Sequence, residues 1–206
     1  MSYTDYLRLP SAAASVLALI LLSGCAGVRY PRSYLLNFPP MSPDATPSEA
    51  FGAVGVREFR CPEYLCQGRI VFRTNSEEVG FYEYHRWAVN PRQSITQFMT
   101  DSLRTQSLFK HVDAYERGIE TPYVLTGRIE RLDELDRGRV VLAECVISAE
   151  LVEVRTGSVL WSDSASETLP LESQDMAGVV NGITAATRVT VDRLVRSMVK
   201  KLATPR

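Results

Sequence analysis

The chain has 206 residues, room for one domain, and its 23 Lys and Arg against 24 Asp and Glu leave a formal net charge of −1. Hydrophobic residues make up 45% and charged residues 23%, which excludes a wholly disordered chain. The balance lacks the basic excess of a duplex-binding domain, so no nucleic-acid partner is expected, and two histidines and four cysteines leave few ligands for a soft metal.

Leu9 to Leu22 is a run of 14 residues without a charge. A membrane-spanning helix needs about 20. A shorter run suits the apolar core of a secretory signal peptide. It ends in Leu22-Ser23-Gly24-Cys25. This resembles the lipobox of bacterial lipoproteins, in which small residues let the peptidase reach the backbone and the cysteine is lipidated. The resemblance implies cleavage between Gly24 and Cys25, a diacylglyceryl thioether on Cys25 and acylation of its freed amine by a palmitate-like chain. One acyl chain holds a protein marginally, whereas two or three anchor it stably. Ala26 follows the cysteine where Asp would imply inner-membrane retention. The implied address is the periplasmic face of the outer membrane. The bland alternative is an ordinary signal peptide, or a short buried helix, with a chance cysteine. The organisation expected is a signal peptide over residues 1–24, a lipidated and Pro-rich segment over 25–50, and the domain over 51–206.

With Cys25 acylated, Cys61, Cys66 and Cys145 remain. Cys61-Pro62-Glu63-Tyr64-Leu65-Cys66 reads as a loop closed by a disulfide, which an oxidising compartment permits. Half a zinc site is the alternative, but no second Cys or His pair lies nearby. No metal is expected. Cys145 sits in an apolar alternation and is read as a buried free thiol.

A first strand is expected over Ser33 to Phe38, then an extended loop through Pro39, Pro40, Pro43 and Pro47. Phe51 to Phe59 reads as a strand with Val54 and Val56 on one face. Arg69 to Arg73 and Val79 to Trp87 form a hairpin around Thr74 to Glu78. Asn90-Pro91-Arg92-Gln93 carries the cap, the proline and the spacing of a helix start. Ile95, Phe98, Met99 and Leu103 then lie on one helical face. Phe109 to Tyr115 is a strand. Tyr123, Leu125, Gly127 and Ile129 alternate along the next, which turns over Asp133 to Gly138. Val141 to Leu151 places Cys145 and its apolar companions on one face and Glu144, Ser148 and Glu150 on the other, facing water or a partner. Arg155 to Ser158 turns the chain back through Val159-Leu160-Trp161. A helix over Gln174 to Leu202 carries one apolar stripe from Met176 to Leu202. Its terminal Arg193, Arg196, Lys200 and Lys201 complement the helix end or, alternatively, meet lipid head groups. The pattern predicts an α+β fold: a two-layer domain, mainly antiparallel sheet, with two helices packed on one face.

Chemistry is sparse. No phosphate-binding loop, nucleophile elbow or H-E-x-x-H occurs. His85, in an aromatic strand, and His111 read as packing residues rather than bases. The pairs Asp133/Glu134 and Glu77/Glu78 fall in expected turns, where charge is solvated. Phe81 to Trp87 carries rings on both faces, with Phe81 and Trp87 pointing one way and Tyr82 and Tyr84 the other. Such a strand is either fully buried or half offered to a partner, since Tyr, Trp and Arg are enriched at binding hot spots.

Taken together, the lipobox, Tyr34-Leu35-Leu36, the Val54/Val56 strand, Pro62 with Tyr64-Leu65, and Ile70-Val71-Phe72-Arg73 resemble the ABC-type transport auxiliary lipoprotein family. His85-Arg86-Trp87-Ala88 before the first helix is the most telling piece, and Leu108-Phe109 and the Leu125/Gly127/Ile129 strand follow in order. The resemblance runs from about Ser33 to Leu202. Members are similar to the paraquat-inducible lipoprotein. The resemblance implies an α+β sandwich, no catalytic residues, no cofactor beyond the covalent lipid on Cys25, and a role as outer-membrane component of an intermembrane lipid transporter built around MCE proteins. Cys61 and Cys66 are not part of its pattern. The expected interface, to an MCE-domain protein or to another copy in a homo-oligomer, is the Tyr82, Tyr84 and Arg86 face or the Glu144 and Glu150 face. A lipoprotein of another envelope assembly, such as surface-polymer export, is the alternative, and an anchored periplasmic enzyme a third.

Overall fold

The computed structural model describes residues 30–42, 51–75, 77–116 and 120–203. In chain order run β1 (Arg32–Tyr34), β2 (Phe51–Val56), α1 (Glu63–Cys66), β3 (Arg69–Arg73), β4 (Val79–Trp87), α2 (Pro91–Gln106), β5 (Phe109–Ala114), β6 (Tyr123–Asp136), β7 (Val141–Glu153), β8 (Val159–Pro170) and α3 (Met176–Ala203). The lipobox and the prolines at 43 and 47 lie outside the described residues.

The meander β6-β7-β8 carries the fold. Its alternating apolar residues put Leu125, Ile129, Cys145, Ile147 and Leu151 at 1% exposure or less. Gly138 and Gly157 close its two turns at φ +77° and +71°, where a side chain would strain the backbone. A bulge between Ile129 and Arg131 shifts the β6-β7 register by one residue. Ile129 and Leu132 are therefore both buried, although strict alternation would separate them.

The outer edge of β6 is shared. β2 joins its first half and β3 its second, both in parallel. β5 extends β2 in parallel. β4 pairs β3 antiparallel, and β1 pairs β4 in parallel. The sheet thus has eight strands among the described residues. Its longest ladders are antiparallel, as expected, while the parallel joins bring together segments distant in sequence.

Both long helices pack on the sheet and touch each other. Asn90 starts α2 as expected, its Oδ1 accepting from the Arg92 amide at 3.2 Å. Asp175 starts α3, accepting from the Gly178 amide at 2.9 Å. Thr187 and Thr190 are fully buried without cost because each hydroxyl donates to a carbonyl one turn back, at 2.7 and 2.8 Å.

Four expectations need correction. The first strand is only Arg32–Tyr34, because β4 offers a partner for three residues; beyond it Phe38 stacks on Phe98 at 4.3 Å instead. β2 stops at Val56, and the chain rejoins β6 through an isolated Arg60–Arg128 bridge. Glu63–Cys66 is a short helix, not simply a loop. Most consequential, Asp133 and Glu134 do not lie in a turn: β6 continues to Asp136.

Candidate functional site

The continued strand creates a buried charge cluster. Successive residues of a strand face opposite sides, so Asp133 and Glu134 reach different partners. Arg73, at the end of β3, donates from Nε to Asp133 Oδ2 at 2.8 Å and from Nη2 to Asp133 Oδ1 at 3.0 Å. It also pairs with Glu144, the residue opposite Asp133 on β7. The three side chains are 7%, 0% and 22% exposed. On the other side, the Tyr82 hydroxyl donates to Glu134 Oε2 at 2.7 Å. Burial holds the Asp133 carboxyl above its ordinary value in spite of Arg73. Burial likewise raises Glu134, and burial together with the Glu134 carboxylate raises Tyr82. A cleft of about 710 Å³ opens beside the cluster, lined by Arg73, Thr74, Asn75, Asp136, Arg137 and Glu144. Every charge in the cluster is engaged by another member, which suits a structural lock better than proton transfer.

The expected interface residues are separated by this arrangement. Glu144 is held by Arg73, and Tyr82 is half-buried, its ring 5.2 Å from Phe72. Tyr84, Arg86 and Glu150 are exposed. Glu150 accepts from the Thr126 hydroxyl at 3.2 Å. The expectation that Tyr82 and Tyr84 share a face opposite Trp87 is corrected. Arg69 pairs with Arg86 but Val71 with Phe81, so β4 carries three extra residues in between and its alternation reverses there. Tyr82 consequently meets the His85 ring at 5.9 Å. His85 Nδ1 also lies 3.0 Å from the Tyr34 hydroxyl, a packed and satisfied histidine. His111 is exposed on β5.

Cys61 and Cys66 are joined, with Cα atoms 6.2 Å apart, and α1 sits within the small ring they close. Cys145 is fully buried and its thiol is pushed up to about 12 by burial. Cys25 and Gly24 lie outside the described residues. Among the described residues no group of three or more His, Cys, Asp or Glu could hold a metal ion, and no helix is long and apolar enough to cross a membrane. Sequence reasoning missed Arg73, Asp133 and Glu134. The available signal was Leu132 and Leu135 flanking the two acids, an apolar continuation of β6 that a solvated turn would not need.

The family model for the ABC-type transport auxiliary lipoprotein component matches residues 34–199. No curated protein matches. Among solved structures, a Xanthomonas campestris protein of a family of unknown function is 17% identical, over 82% of this chain and 96% of that one, with a TM-score of 0.73. An uncharacterised protein is 13% identical, over 73% and 99% of the two chains, with a TM-score of 0.60. The PelC dodecamer subunit of Paraburkholderia phytofirmans is 15% identical, over 81% and 96%, with a TM-score of 0.48. At these identities the first two likenesses are ones of fold.

Proposed function

Because the chain belongs to the ABC-type transport auxiliary lipoprotein component family, we propose that it is the outer-membrane-anchored, non-catalytic docking component of an MCE-linked intermembrane lipid transporter. The observation that carries this reading is the family match over residues 34–199, which takes in β2 through most of α3 and begins nine residues after the lipobox cysteine. Phospholipid crosses an aqueous compartment only when shielded, so a transport bridge needs a fixed docking point at the far membrane. A multiply acylated Cys25 supplies the fixed point, since two or more chains anchor stably. A rigid sheet supplies the docking surface. The Cys61–Cys66 bridge supports an oxidising compartment such as the periplasm. The buried, mutually paired charges of Arg73, Asp133 and Glu144 support a scaffold in preference to a catalyst. On this reading the exposed Glu150 face is open to the MCE-domain protein or to a second copy of the chain.

Native mass spectrometry of the detergent-extracted lipoprotein, affinity-purified from its own cells, tests the reading. The expected spectrum shows acyl mass on Cys25 and an MCE-domain protein in the same complex, and it counts the copies. An acylated chain bound instead to another envelope machine would reassign it to that assembly.

A further inference from the structure

We propose that the exposed Arg69–Arg86 pair at the β1 end of the sheet lies against the anionic head groups of the leaflet that holds the anchor, an inference that rests on the Cys25 lipidation proposed above.

The tether limits where the domain can sit. Arg32 is seven residues after Cys25. Even fully extended, that length spans at most about 25 Å. A domain of this size is roughly 40 Å across. The β1 side of the sheet is therefore held near the membrane, whereas β8 lies five strands further along the same sheet.

The charge at the tethered side is the second observation. Arg69 and Arg86 are direct cross-strand partners, and like charges in that position repel. Ser33 of β1 is the neighbour of Arg86 on its other side, while Arg32, which pairs with His85, belongs to the opposite face. Arg69 and Arg86 are both exposed. Neither forms an ion pair among the described residues; the guanidinium of Arg69 lies over the Phe81 ring at 5.8 Å. Glu83, the closest acid in sequence, is exposed and forms no ion pair with Arg69 or Arg86 among the described residues. A chain with a net charge of −1 thus gathers unneutralised cations where its tether emerges. Phosphate groups of a lipid surface offset such repulsion and accept from guanidinium in its preferred forked geometry.

An exposed apolar group adjoins the pair: Leu35, two residues beyond Ser33, is 59% exposed. Arginine beside an exposed aliphatic side chain suits a membrane interface, where the guanidinium meets phosphate while apolar bodies reach the acyl boundary.

The test uses the full lipoprotein made in cells that attach the anchor, reconstituted in vesicles of phosphatidylcholine alone or mixed with phosphatidylglycerol. A nitroxide is placed at Leu35→Cys, and in a second preparation at Val159→Cys on β8, and collisions with a water-soluble nickel chelate are measured. On phosphatidylglycerol vesicles the label at 35 is shielded and the label at 159 is not. Shielding is lost on phosphatidylcholine. In R69Q/R86Q the docked-to-free ratio falls about 25-fold, from about fivefold per arginine at an anionic surface. The double variant melts at or slightly above the parent temperature, because it removes a repulsion. An acylated protein whose label at 35 is equally accessible on both vesicles, or is shielded only by an acidic protein partner, overturns this proposal and leaves the anchor standing. A preparation whose intact mass lacks acyl chains on Cys25 overturns the anchor and the proposal with it.

Discussion

Replacing Arg73 by Met keeps the length of the side chain and removes its charge. Asp133, at 0% exposure, and Glu144, at 22%, then face one another as cross-strand partners with no cation between them. Two charge-assisted hydrogen bonds to Asp133, at 2.8 and 3.0 Å, vanish with the contact to Glu144. Breaking a buried pair by removing one partner costs about 3–5 kcal/mol, mostly from stranding the remaining charge. At about 2–4 °C per kcal/mol for a domain of this size, R73M should melt about 6–20 °C below the parent. The deficit depends on pH. Burial already holds the folded pKa of Asp133 above its unfolded value, and losing Arg73 raises it further. A carboxyl raised in this sense costs stability once pH exceeds its unfolded value, and costs nothing below it. Urea unfolding of R73M and parent at neutral pH and at pH about 4 should therefore give a large gap that narrows on acidification. R73M/D133L/E144Q, which removes the stranded charges, should recover most of the loss. A neutral-pH loss under about 1 kcal/mol, or a gap as wide in acid, would refute the argument that this cluster locks β3 to the meander.

Tyr82→Phe leaves Glu134 buried without its donor and should cost about 1.5–3 kcal/mol in the same assay. Because the Tyr82 pKa is raised above 10.0, the parent should lose stability as pH climbs past that value, by up to about 1.4 kcal/mol per pH unit, and Y82F should lack that slope. Gly127→Ala places a Cβ 2.5 Å from the Phe59 ring, which is 1% exposed, and should lower the urea midpoint by about 1–3 kcal/mol equivalent, with F59L relieving it. A thiol reagent without reductant should find no reactive cysteine in the folded lipoprotein and one, Cys145, after denaturation. Three released thiols would mean that Cys61 and Cys66 are not joined and that the periplasmic reading loses that support.

Much of the architecture was legible because it is written in local periodicity. The stripe from Met176 to Leu202 requires a helix with one apolar side, and the structure spans it from Met176 to Ala203. Asn90-Pro91 announced α2 through groups that act within one turn. The alternation from Val141 to Leu151 placed Cys145 in the core, where it is fully buried. Positions where the reading failed share a cause. Arg73 and Asp133 are 60 residues apart, and neither segment says that the other will neutralise it. Seen alone, Asp133-Glu134 is a solvated pair; beside β3 and β4 it is interior strand. The bulge in β4 is likewise set by its pairing with β3, and it reversed the face assigned to Tyr82.

The sequence by itself therefore determined the two long helices, the run of the meander strands, the apolar faces of β7 and α3, and the family, because those follow from residue spacing along a single strand or helix. Only the tertiary structure decided which carboxylates are buried, which tyrosine is spent inside the fold, and which arginines stand together beside the tether. Those outcomes depend on strand order and register, where the parallel joining of β2 and β3 to one edge of β6 brings distant charges within a hydrogen bond of each other.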